Sequence, residues 1–152
     1  MATRHLEPAE ARTDMARLAT LAATASFLDV LEGGVTERFY GGVRETYDAE
    51  SDPISRAWPE LSPGYRRWKE RTHPGLPILV LSGDMRASAT GENAADRRIE
   101  PREAVYWVPQ EYAAAHQFGT ERIPQRWFFG ASEDTKSDIE EIIADAFTAM
   151  IG

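Results

Sequence analysis

Helical apolar periodicity is confined to the two ends of this chain, and prolines and glycines cut what lies between into short pieces. Near the start, Met15, Leu18, Leu21, Ala22, Ala25, Leu28 and Leu31 recur at three- and four-residue steps and make one apolar stripe. Thr13 or Asp14 is the expected cap of that helix, and Gly33-Gly34 is expected to end or kink it. Val35, Phe39, Val43 and Tyr47 then repeat every four residues and predict a second helical piece. Gly41-Gly42 weakens it, at about 1 kcal/mol for each glycine relative to alanine. At the other end, Ser132 and Thr135 offer an N-cap, and Glu133, Asp134 and Asp138 put negative charge at the positive end of the helix dipole. Ile139, Ile142, Ile143, Ala146, Phe147 and Met150 complete the stripe of a terminal helix.

The middle reads as short elements. Residues 48–64 hold three prolines and are irregular, after which Ser62-Pro63 opens a short helix that must stop before Pro74-Gly75. The run Ile78 to Leu81 is apolar and favours an extended strand, Ser82 or Asp84 caps a single helical turn, and Ala87 to Thr90 resumes the strand. Arg98 to Val108 alternates around Val105 and Trp107, so residues 77–108 suggest a broken hairpin. Glu111 to Phe118 is a helix closed by Gly119 in a left-handed cap, and Arg126 to Phe129 is a short aromatic strand. The expected architecture is an α+β fold of one domain, residues 1–152, with a small antiparallel sheet packed between N-terminal and C-terminal helices.

Composition excludes several chemistries. A chain of 152 residues without cysteine has no disulfide scaffold, no thiolate metal ligation and no cysteine nucleophile. By area scaling a chain of this size buries about two thirds of its surface unaided. No apolar run approaches the ~18 residues that span a bilayer, and the opening MATRHLEPAE lacks a basic-then-apolar leader pattern, so neither membrane nor export is expected. The net charge of -8 is uneven: residues 1–50, 51–76, 77–130 and 131–152 carry −4, +2, −1 and −5. Such a chain repels phosphate backbones at long range.

The search for chemistry yields little. His5, His73 and His116 share no metal-ligand spacing, and His116 lies about 140° around a helix from Glu111. The enzyme reading is a small metal-dependent hydrolase using His116, Glu111 and Asp84, against which His116 reads more simply as a hydrogen-bonded structural residue. No G-x-x-x-x-G-K-[ST] or G-x-G-x-x-G cradles a phosphate. Arg66, Arg67, Lys69 and Arg71, interleaved with Tyr65 and Trp68, offer a nucleic-acid reading, but their isolation in an acidic chain favours a protein-facing or salt-bridged helix. Ten aromatic residues between Trp58 and Phe129 exceed what a small sheet readily buries, so some are expected at subunit or partner contacts.

Four segments occur in a telling order: WPELSPGYRRWK at 58–69, ILVLSGDMRAS at 78–88, EYAAAHQFG at 111–119 and IPQRWFFGASED at 123–134. Together they resemble the phage virion morphogenesis, or tail completion, family of tailed bacteriophages. The matching positions include Trp58, Leu79, Ser82, Gly83, Ser88, Tyr112, His116, Gln117, Phe118, Gly119, Pro124 and Arg126. Met85 stands where the family usually has leucine, and Trp127 where proline is commoner. The resemblance covers 37–152, a tail-completion-like domain, and leaves 1–36 as an N-terminal helix without signature. It implies a structural virion protein with no catalytic residue, cofactor or metal. Such a protein completes the tail or joins it to the head connector as a ring, hexameric, bound to tail tube and neck proteins. DNA passes through that ring without being specifically bound. The implied location is the virion tail or neck, after folding in the host cytoplasm. Within this frame His116 and Gln117 tie neighbouring loops, Phe118 is buried and Gly119 turns the chain. Arg126, Trp127, Phe128 and the Glu140-Glu141 face of the last helix are expected to meet subunit or tube neighbours.

Overall fold

The computed structural model describes residues 8–152, and His5 lies outside the described residues. Helix α1 spans Pro8–Thr24, opening with proline where a missing N–H costs nothing. Thr13, expected as its cap, sits inside it and donates its hydroxyl to the Ala9 carbonyl at 3.0 Å. The apolar stripe of α1 is real as a pattern but unburied: none of its residues is buried, and Met15 is 67% exposed.

The first helix breaks at 25–27 rather than at the glycine pair. The Phe27 amide donates to the Pro101 carbonyl at 2.7 Å, which takes it out of the helical ladder. Gly33-Gly34 instead falls within a widened π turn, Leu31–Val35, that joins the single turn α2 (Leu28–Val30) to α3 (Thr36–Ala49) without a stop. Helix α3 buries Thr36, Tyr40, Val43, Thr46 and Tyr47; of the expected stripe, Val43 and Tyr47 are among them, Val35 is buried in the preceding π turn, and Phe39 is half-buried while its neighbour Tyr40 turns inward. Its weak point, Gly42, has a packing reason: a Cβ there would stand 2.7 Å from Thr135 Oγ1, so the glycine lets the last helix lie against α3.

Helix α4 (Pro63–Thr72) follows the irregular segment, with Pro63 in its first turn and Ser62 extended before it. Two expectations for residues 78–90 fail. Residues 78–81 form a turn in which Leu79 has a φ of +61°, and 87–90 belong to α5 (Asp84–Ala89) and its cap. Burial decides the second case, because Met85, Ser88 and Ala89 share one helical face against the core. The hairpin is compact rather than broken: β1 (Arg97–Glu100) and β2 (Glu103–Tyr106) pair antiparallel around Pro101 and Arg102, with Arg98 opposite Val105 and Ile99 opposite Ala104.

Helix α6 (Ala113–Phe118) ends at Gly119, whose φ of +76° comes with ψ 164°, an extended exit rather than the left-handed cap expected. Residues 126–129 are not a strand. Helix α7 (Glu133–Ile151) begins as expected, with Ser132 Oγ accepting the Thr135 amide at 3.0 Å. The core gathers Val43, Tyr47, Trp58, Val80, Met85, Ala89, Ala113 and Phe128, so two of the ten central aromatics, Trp58 and Phe128, fill it, with Phe129 packed against them. Helices at both ends of a two-stranded antiparallel sheet make this an α+β fold, as expected. Among the described residues no single helix is long and apolar enough to cross a membrane.

Candidate functional site

Segments far apart in sequence converge on one open cleft of about 730 Å³ between α4, the 79–85 loop, α6 and residues 122–126. That size lies within the ~300–1,000 Å³ of sites that engulf a ligand or a few side chains. Its walls are largely apolar, with Tyr65, Leu79, Leu81, Met85, Ile123 and Pro124 contributing. The turn at 78–81 explains itself here, since it spends an apolar run on the cleft wall instead of on a sheet.

The cleft also reaches basic groups: exposed Arg122 at its rim, and Lys69, Arg126 and His116 set deeper. Lys69 points inward from α4, about 200° around the helix from Arg67 and Arg71; it is 4% exposed and donates its ammonium to the Pro77 carbonyl. Arg126 is 5% exposed and donates from Nε to the Pro59 carbonyl at 2.7 Å and from Nη2 to the Glu60 carbonyl at 2.9 Å. His116 presents a buried Nδ1 that has no hydrogen-bond partner among the described residues. Burial lowers the affinity of Lys69 for its proton, Arg126 lowers it further, and Glu50 opposes both. Burial and then Arg126 hold His116 below the ordinary histidine range, and burial alone lowers Arg126. Among the described residues no carboxylate comes within 4 Å of Lys69 or Arg126. Carbonyl oxygens solvate these cations in part, but their charge is not cancelled.

The signature positions divide between this cleft and its scaffold. Ser82, Gly83, Tyr112, His116, Pro124 and Arg126 line the cleft. Trp58 is buried beneath it and donates its indole N–H to the Trp127 carbonyl at 3.0 Å. Gln117 is the strut of the 126–129 segment: Nε2 donates to the Phe129 carbonyl at 2.8 Å, and Oε1 accepts the Phe128 and Phe129 amides at 3.3 and 3.2 Å. One side chain thus does for this segment what a neighbouring strand would do, and the Arg126 amide adds a bond to the His116 carbonyl. Gly119 is packed so closely that a Cβ would lie 2.9 Å from the Gln125 amide nitrogen.

Several placements correct the sequence reading. Phe118, expected inside, is 73% exposed. Arg126, expected to face a neighbouring subunit, is buried because its guanidinium is held by the 59–60 carbonyls, and Phe128 is 1% exposed in the core. Trp127 is half-buried, with its indole N–H on the Phe129 carbonyl at 3.1 Å. Glu140 and Glu141 are exposed on α7, away from the cleft. Lys69, Leu81 and Arg122 line the cleft but carried no such role in the sequence reading. The helical phase of Lys69, opposed to Arg67 and Arg71, is the signal that sets it apart.

The alternative chemistries find no support in the geometry. Asp84 and Glu111 are exposed, and among the described residues no three His, Asp or Glu gather to hold a metal ion. The charge beside His116 is the Arg126 cation, of the wrong sign for a metal ligand's neighbour. On α4, Lys69 is buried and Arg66 is paired with Glu60 at 2.7 Å, which leaves Arg67 and Arg71 of the basic run.

Comparison with known proteins agrees with this signature. The chain is similar to Mu-like prophage FluMu G protein 1 of Haemophilus influenzae, 26% identical over 120 residues that cover 75% of this chain and 79% of the relative. No solved structure matches it. The profile of the phage virion morphogenesis family, whose members serve in virion structure and assembly, matches residues 16–148 and so takes in much of α1, where no motif was visible. On a match of that extent, the chain belongs to the phage virion morphogenesis family.

Proposed function

We propose that the protein completes the phage tail and joins it to the head connector, acting as a closed, hexameric ring of copies seated on the tail tube. DNA passes through the ring and is not specifically bound. The observation that carries this reading is the convergence of the family's signature residues on an exposed apolar cleft rather than on a catalytic constellation. A second quantity supports it: the accessible surface of 10228 Å² exceeds by about a third the roughly 7,700 Å² expected of a compact monomer of this mass. The surplus, about 2,500 Å², is more than the roughly 1,600 Å² that a ring subunit would commit to two standard interfaces at ~800 Å² each. Membership in a virion assembly family and likeness to a prophage protein agree with a place in the particle.

The test is deletion of the gene from the phage or prophage that encodes it, followed by electron microscopy of the lysate. Unjoined heads and tails, or tails of irregular length, restored to whole particles by the wild-type gene in trans, are expected. Normally joined infectious particles without the gene would sink the reading.

A further inference from the structure

We infer that the cleft receives the acidic face of α7 from a second copy of this chain, which makes the contact between neighbours head-to-tail. The inference rests on the ring reading above and names its interface. Lys69 and Arg126 are both more than nine-tenths buried, both line the cleft, and neither has a carboxylate within 4 Å among the described residues. Arg122 adds a third cation at the rim, and Glu60, the one acidic lining residue among the described residues, is already paired with Arg66. A buried cation with no carboxylate in contact is costly, so a carboxylate that enters the cleft recovers free energy that the isolated subunit lacks.

The chain itself carries the complementary surface. Residues 131–152 hold −5 of the net −8. Glu133 and Asp138 are spent on Lys136 and Arg38, whereas Glu140, Glu141 and Asp145 are exposed and enter no ion pair among the described residues. Beside them Ala144 and Ile151 are also exposed, so the same helix face offers apolar contact to the cleft walls. Helix α7 packs on α2, the π turn and α3, and contributes nothing to the cleft lining. Two different, complementary surfaces on one chain make a heterologous contact, which closes into a ring when the rotation allows.

The experiment uses the full chain in low salt, with sedimentation velocity and native mass spectrometry at concentrations up to 1 mM. Arg122→Glu spoils the cleft rim, and Glu140→Lys with Glu141→Lys spoils the helix face; all three positions are exposed, so folding is retained. Each variant alone is expected to lose self-association at least tenfold. Mixed, they should associate with each other, because the intact helix face of one meets the intact cleft of the other. Lys69→Met should melt no lower than wild type yet associate at least tenfold more weakly. Self-association of either surface variant at wild-type strength, or no pair on mixing, overturns the contact while leaving the ring to be judged by the particles. No association of the wild-type chain up to 1 mM overturns it too. So does saturable binding of a DNA oligonucleotide that Lys69→Met abolishes, which would assign the cleft to nucleic acid.

Discussion

Replacing Gln117 by methionine tests whether one side chain holds the 126–129 segment. The substitution keeps length and volume but removes an amide that donates to Phe129 and accepts from Phe128 and Phe129. Each neutral hydrogen bond contributes about 1 kcal/mol net, and a buried backbone group left without a partner costs ~1–3 kcal/mol. Phe128 is 1% exposed, so its amide finds no water in exchange. The loss is therefore about 3 kcal/mol, a factor of more than ~100 in the folding equilibrium. With a urea dependence of ~2 kcal/mol/M, the unfolding midpoint should fall by about 1.5 M. The neighbouring Phe118→Ala provides the contrast. Phe118 shares the signature but is exposed, so its truncation should stay within ~0.5 kcal/mol of wild type. A Gln117→Met midpoint indistinguishable from wild type, or a Phe118→Ala loss above ~1 kcal/mol, would refute the account of how this segment is held.

Other substitutions probe other contacts. Gly91 has a φ of +83°, and a Cβ there would stand 2.5 Å from the Tyr40 ring; Gly91→Ala should cost about 2–4 kcal/mol, read as a thermal midpoint lower by ~5–15 °C. Gly42→Ala should lose about 1–3 kcal/mol by pushing Thr135 away, while Gly33→Ala, with nothing within 4 Å, should be neutral or stabilising; a reversed order in chemical denaturation would contradict the α3–α7 packing. His116 is held below its usual pKa when folded, so the unfolded chain binds the proton more readily. Its contribution is full above about pH 6.5 and is lost as pH falls through that value toward the folded pKa. Urea midpoints at pH 7.5 and pH 5 should therefore shift in favour of His116→Gln on acidification, and parallel profiles would count against a buried neutral imidazole.

What the sequence discloses follows the range over which each feature is decided. Helix α7 is legible because its cap, dipole charges and stripe all lie within one local pattern, and α3 is legible as a helix from the four-residue spacing that ends in Val43 and Tyr47. The strand expected at 78–81 failed because apolar, β-favouring composition says that a run is buried, not what it is buried against. The 126–129 strand failed because its hydrogen-bond partner is a glutamine side chain, which leaves no period-2 mark. Sequence spacing points Arg126 at an interface because its ligands, the 59 and 60 carbonyls, lie more than sixty residues away and leave no local mark. Resemblance found the signature residues individually; only the fold brings Ser82, Tyr112, His116 and Pro124 to one cleft.

Helix α1 carries a thermodynamic consequence. None of its 17 residues is buried, and its C-terminal turn is held by Arg102, which donates to the Ala23 carbonyl at 3.1 Å. A helix of that length on its own is marginal in water. Its amide protons should therefore exchange orders of magnitude faster than those of α3 in the free subunit, and slow wherever a neighbour covers Met15 and Leu18. Protection of α1 is then a clock for assembly, readable residue by residue before any particle is visible.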